Sequence, residues 1–99
     1  MPEMTFTVRW AAAGERTYYS PSLVVHDYLG EAMAYPVPEF VRRATEALHI
    51  ASSRVRQKYG FGCTSAAESV RRIHADAAGE VGDVVLVSMT GAQFVSRKS

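Results

Sequence analysis

A single cysteine, Cys63, is the whole thiol complement of this 99-residue chain. One cysteine excludes an internal disulfide framework and any multi-cysteine zinc site, and it suits a reducing compartment. No basic segment followed by an apolar one opens the chain at Met1-Pro2-Glu3-Met4-Thr5, so no signal peptide is expected. No uncharged apolar run approaches the length of a membrane span. No H-x-x-x-H or H-E-x-x-H spacing links His26, His49 and His74, so no metal site is expected. No Walker sequence occurs, and Gly60-Phe61-Gly62 follows a helical pattern and lacks the last glycine of a dinucleotide fingerprint. No cofactor is therefore expected. The net charge is only +1, which points to no polyanionic partner.

What is present describes one ordinary domain spanning 1–99, 47% apolar and 21% charged. A chain of this size buries roughly 65% of its unfolded surface, enough to fold without disulfides or metal. The expected localisation is cytoplasmic, with no membrane association. Charge is unevenly spread. Arg9 and Arg16 face Glu3, Glu15, Asp27 and Glu31 in the first third, whereas Arg42, Arg43, Arg54, Arg56, Lys58, Arg71 and Arg72 dominate the middle. A solvated helical face accounts for that better than a nucleic-acid groove, since no aromatic-interleaved motif accompanies the arginines.

The strongest periodicity is Met4-Thr5-Phe6-Thr7-Val8-Arg9-Trp10, strict alternation that predicts a half-buried strand. Arg16 to Tyr19 predicts a second strand, joined to the first by a hairpin in which Gly14 supplies a positive φ. Ser20 with Pro21 predicts a helix start, with Leu23, Val24, Tyr28 and Leu29 giving a short helix that stops at Gly30; a strand from Leu23 to Tyr28 is the alternative. Tyr35-Pro36-Val37-Pro38 then launches a helix. Phe40, Ala44, Ala47, Leu48, Ala51, Val55 and Tyr59 repeat every three or four residues, predicting about five to six turns ended by Gly60. Ser65 and Glu68 predict a capping box for a second helix with the stripe Ala66, Val70, Ile73 and Ala77, ended at Gly79. Asp83 to Met89 is a β-rich run, Thr90-Gly91 a turn, and Phe94-Val95 a segment that could pair back. The expected fold class is α+β: a small antiparallel sheet of the N-terminal hairpin plus a C-terminal strand or strands, with a pair of helices packed on one face. Strand order does not follow from the pattern.

Chemistry-bearing residues are few. Cys63 precedes a helix start, where the dipole favours thiolate, and it is a candidate nucleophile; a small buried core residue is the plainer alternative. His26 beside Asp27 is a candidate acid or base, although neighbours on a helix do not face one another. Tyr18, Tyr19, Tyr28 and Tyr35 crowd the first third and, with Arg42 and Arg43, are candidate binding residues; half-buried sheet and loop positions explain the tyrosines equally well.

Met1-Pro2-Glu3-Met4 with Phe6-Thr7-Val8-Arg9-Trp10, then Tyr19-Ser20-Pro21-Ser22 to Val25, Asp27-Tyr28-Leu29, Tyr35-Pro36 and Tyr59-Gly60-Phe61-Gly62-Cys63 form an ordered set of blocks. Over roughly residues 1–75 the chain resembles a small bacterial family of nitrogen-starvation response proteins. The resemblance implies a gene cluster containing a nitrilase, a radical-enzyme homologue, an acetyltransferase and a flavin oxidoreductase. It implies no reaction and carries over no catalytic residue. Ala11-Ala12-Ala13-Gly14 departs from the Pro-Asp-Gly turn expected of relatives. Three readings result: a non-enzymatic accessory or regulatory protein that binds enzymes of the nitrilase-associated pathway; a small Cys63-dependent enzyme or carrier in that pathway; and an arginine-mediated binder of anionic ligands or nucleic acid. A protein partner from the pathway is the leading expectation, a homodimer is compatible with all three, and nucleic acid ranks last.

Overall fold

In a computed structural model, residues 3–60 and 64–90 are described; Cys63 and the segment holding Phe94-Val95 lie outside them. The chain forms β1 (Met4–Trp10), β2 (Gly14–Ser20), a 3-10 turn (Leu23–Asp27), β3 (Ala34–Pro36), α1 (Val37–Tyr59), α2 (Thr64–Ala77) and β4 (Asp83–Met89). Four strands make one antiparallel sheet in the order β2-β1-β4-β3, with α1 and α2 packed across one face. This is the expected α+β architecture.

Alternation along β1 sends Met4, Phe6, Val8 and Trp10 into the core and Thr5, Thr7 and Arg9 to the other face. Gly14 turns the hairpin at φ +83°, a conformation open to glycine at little steric cost. β2 is longer than Arg16–Tyr19 because its ladder with β1 runs from Trp10↔Gly14 to Met4↔Ser20. Between Thr7 and Val8 the β1–β4 register slips by one residue, so Thr7 faces Ser88 and Val8 faces Leu86. The core is completed by Phe40, Ala44, Ala47, Leu48 and Ala51 of α1, Ala66 and Ile73 of α2, and Val84, Leu86 and Met89 of β4. Phe40 meets Trp10 edge to face, ring centroids 5.5 Å apart.

The structure corrects three local expectations. Ser22, not Ser20, caps the turn after β2: its Oγ accepts from Val24 N–H at 3.3 Å, while Ser20 Oγ donates to the Ser22 carbonyl at 2.7 Å. The element that follows is a 3-10 turn ending at Asp27, shorter than a helix reaching Gly30, and Val24 and Val25 are buried in it. Ser65 does not cap α2, because the helix already includes Thr64, and Glu68 pairs instead with Arg71. β3 has no counterpart in the sequence expectations. Its three residues carry no alternation to read; β4 supplies the ladder through Ala34↔Val85, Tyr35↔Val84 and Pro36↔Asp83.

α2 is fastened to β2 by four side chains. Ser69 Oγ donates to the Tyr19 carbonyl at 2.7 Å, and the Arg72 guanidinium donates to the Thr17 carbonyl at 3.4 Å. Arg72 also lies over the Tyr18 ring, 5.1 Å from its centroid. The buried Tyr18 hydroxyl donates to Asp76 at 2.5 Å and accepts from Trp10 Nε1–H at 3.0 Å. Burial pushes the Tyr18 phenol pKa well above its ordinary value, and the bond to Asp76 adds to that.

Candidate functional site

Period-2 alternation separates the first two candidate tyrosines. Tyr18 is 1% exposed and bonded inside the core, so it offers no surface for binding. Tyr19 lies on the opposite face of the sheet, its hydroxyl donating to Glu3 at 2.9 Å. The remaining four candidates come together. The segment from Tyr28 to Tyr35 folds back on itself, with the Gly30 N–H donating to the Tyr35 hydroxyl at 2.9 Å. Nearly two turns into α1, Arg43 lies over the Tyr35 ring at 5.4 Å and donates to the Tyr28 carbonyl at 3.1 Å. Glu39 then gathers both arginines, accepting from Arg43 Nε at 2.5 Å and Arg42 at 2.8 Å. Spacings of three and four residues put these side chains on one helical face. Hydrogen bonds from Arg42 and then Arg43 hold the Glu39 carboxyl below its ordinary pKa, and the same bond raises that of Arg42.

The loop under this cluster is held under strain. Ala32 has φ +64°, a left-handed conformation that costs a non-glycine residue about 1–2 kcal/mol. It is pinned there by its N–H to the Leu86 carbonyl at 2.7 Å, by Leu86 N–H to the Met33 carbonyl at 2.8 Å, and by Met89 N–H to Glu31 at 2.6 Å. The result leaves Met33 52% exposed beside Gly30, whose other near neighbour is the Tyr35 hydroxyl. Tyr28, Met33, Tyr35, Arg42 and Arg43 therefore form a braced aromatic, methionine and arginine patch. Met33 is absent from the residues expected from sequence; its only local signal is a lone apolar residue in an otherwise small and polar loop.

Elsewhere the chemistry is spent on structure. His26 places Nε2 3.4 Å from the Thr90 carbonyl, and Asp27 is exposed at the end of the 3-10 turn. His74 meets Thr45 Oγ1 at 3.2 Å, and His49 is exposed on α1. An open cleft of about 410 Å³ between β2 and α2 is lined by Tyr19, Thr64, Ser65, Glu68, Ser69 and Arg72. Ser69 and Arg72 already hold the β2 carbonyls there. Among the described residues no group of three or more His, Cys, Asp or Glu is placed to hold a metal ion, and no helix is long and apolar enough to cross a membrane.

A family model described as nitrogen starvation-induced protein NitG matches residues 5–89. The chain belongs to the NitG family. The matched span runs from the second residue of β1 to the last of β4 and takes in every residue of the patch. No curated protein and no solved structure matches this NitG-family chain. Membership places it among proteins described as induced by nitrogen starvation.

Proposed function

We propose that this protein is a non-enzymatic accessory or regulatory protein that docks on an enzyme of a nitrilase-associated, starvation-linked bacterial pathway. The observation that carries the reading is the braced patch of Tyr28, Met33, Tyr35, Arg42 and Arg43. Tyrosine, methionine and arginine are the residues enriched where proteins meet, and truncating tyrosine or arginine there tends to cost most. Arg43 lies over the Tyr35 ring and both arginines bond to Glu39, so less side-chain entropy remains to be lost on binding. Glu39 offsets much of their charge, which suits a protein surface better than a phosphate backbone.

The test is capture of the tagged protein from nitrogen-starved cells beside the variants Arg42→Glu and Met33→Asp. A pathway enzyme retained near equimolar ratio by the parent, and at least ~tenfold less by either variant, is the expected result. Retention of no enzyme, or equal retention by all three proteins, would overturn the reading.

A further inference from the structure

Met4, Met33 and Met89 fall within the described residues, and the fold treats them unequally. Met4 and Met89 belong to the core, at 2% and 6% exposed, whereas Met33 stands on the aromatic and arginine patch at 52%. An oxidant has to reach the sulfur, so exposure ranks the three thioethers. Main-chain bonds hold Met33 in its exposed setting. Its N–H donates to the Gly30 carbonyl at 3.3 Å, and its carbonyl accepts from Leu86 N–H at 2.8 Å. Ala32 before it is held to the Leu86 carbonyl at φ +64°. Met33 Cγ and the Tyr35 hydroxyl are the groups nearest to the Cβ position that Gly30 lacks, 3.1 and 3.8 Å away. The thioether stem is thus packed on a bare stretch of backbone that Tyr35 also holds, through the bond from Gly30 N–H.

Leucine would fill an apolar contact at this position as well as methionine does, but its contribution could not be withdrawn. Oxidation of a thioether adds a polar, strongly accepting oxygen to a side chain that must shed water on docking. We infer that Met33 is a reversible oxidation site, at which hydrogen peroxide turns the patch into a form that releases its partner. The release rests on the docking role proposed above; the site rests on exposure and loop geometry alone.

The chemistry balances with peroxide as the oxidant. A sulfur lone pair forms the new S–O bond as the O–O bond of the peroxide breaks, and the second oxygen leaves as water. Sulfur gives up two electrons and the peroxide takes them. The return step needs a dithiol, as a methionine sulfoxide reductase supplies: the oxygen leaves as water and the dithiol becomes a disulfide. Met33 is no member of the buried core, so the fold keeps its stability through the cycle. A sulfoxide at Met4 or Met89 would instead place a polar group among core side chains.

The test treats the full chain with limiting hydrogen peroxide and then with dithiothreitol, which returns a sulfenic acid or disulfide at Cys63 to the thiol and leaves sulfoxides in place. Oxidation is mapped by peptide mass spectrometry, with thermal melting alongside. Met33 should gain its oxygen at least ~tenfold faster than Met4 or Met89, with Tm unchanged. Met4 or Met89 reacting as fast, or a fall in Tm, would overturn the site. The same material is then used for capture from nitrogen-starved cells. The oxidised parent should retain at least ~tenfold less enzyme than the untreated parent, and sulfoxide reductase should restore it. Met33→Leu should retain the enzyme before and after peroxide. Equal retention by oxidised and untreated parent, no recovery with the reductase, or loss from peroxide-treated Met33→Leu would overturn the release. An untreated parent that retains no enzyme defeats the docking role and the release together, while the mapping on the isolated protein still decides the site.

Discussion

Replacing Tyr18 with phenylalanine removes one oxygen atom and isolates two groups at once. Its hydroxyl donates to Asp76 and accepts from Trp10 Nε1–H. Trp10 is 1% exposed, so its N–H is left without an acceptor and out of reach of water. A lost hydrogen bond to a charged group contributes about 1.5–3 kcal/mol, and a stranded buried donor about 1–3 kcal/mol. Asp76 is half-buried, so water can partly replace its lost donor, which places the total near 3 kcal/mol. A domain of this size has roughly 5–15 kcal/mol to lose, and each kcal/mol shifts Tm by about 4–8 °C. The expected change is therefore a drop of about 12–24 °C, with the urea midpoint lowered and its slope unchanged. Trp10 is the only tryptophan, so its fluorescence follows unfolding beside the broken bond itself. Asp76→Asn keeps an acceptor and loses the charge, and it should cost about 1 kcal/mol. A Tyr18→Phe loss below ~1 kcal/mol would refute the reasoning, because it would mean that the indole and carboxylate find other partners.

Three further outcomes follow from the same geometry. The Tyr18 phenol keeps its proton to higher pH in the folded state than in the unfolded state. Its contribution is therefore complete below the unfolded value near ~10 and is lost above it at about 1.4 kcal/mol per pH unit. Alkaline unfolding should be shallower in Tyr18→Phe, and tyrosinate absorbance should show one of the five tyrosines ionising only as the protein unfolds. Ala32→Gly relieves about 1–2 kcal/mol of backbone strain and adds about 0.5–1 kcal/mol of unfolded-state entropy, so a net gain of about 0.5–1 kcal/mol is expected in urea denaturation. Phe40→Ala removes a fully buried ring that meets Trp10 edge to face; a loss of about 3–5 kcal/mol is expected, read by calorimetry.

Elements whose pattern is local were legible from the sequence. β1 alternates without a break, and the long stripe of α1 ends at a glycine in the left-handed conformation it needs. The same alternation shows that adjacent Tyr18 and Tyr19 point to opposite faces, a consequence that grouping tyrosines by density overlooks. β3 and the strand order were not legible, because both depend on what β4 does after α2 has intervened. The patch was legible in halves. The Glu39, Arg42 and Arg43 spacing places them together on a helix, whereas the return of Tyr35 to Gly30 depends on bonds from β4 that hold Ala32 in its strained conformation. Neither Cys63 nor Phe94-Val95 lies within the described residues.

The unlike stops on the two sheet edges, side chains of α2 along β2 and brevity with a proline at β3, bear on what happens when such a protein accumulates during starvation. A sheet with an open edge can recruit copies one after another and grow into a fibre. Here both edges carry a stop among the described residues, so that route of growth is obstructed. A rise in concentration then meets a sheet whose edges resist the addition of another strand.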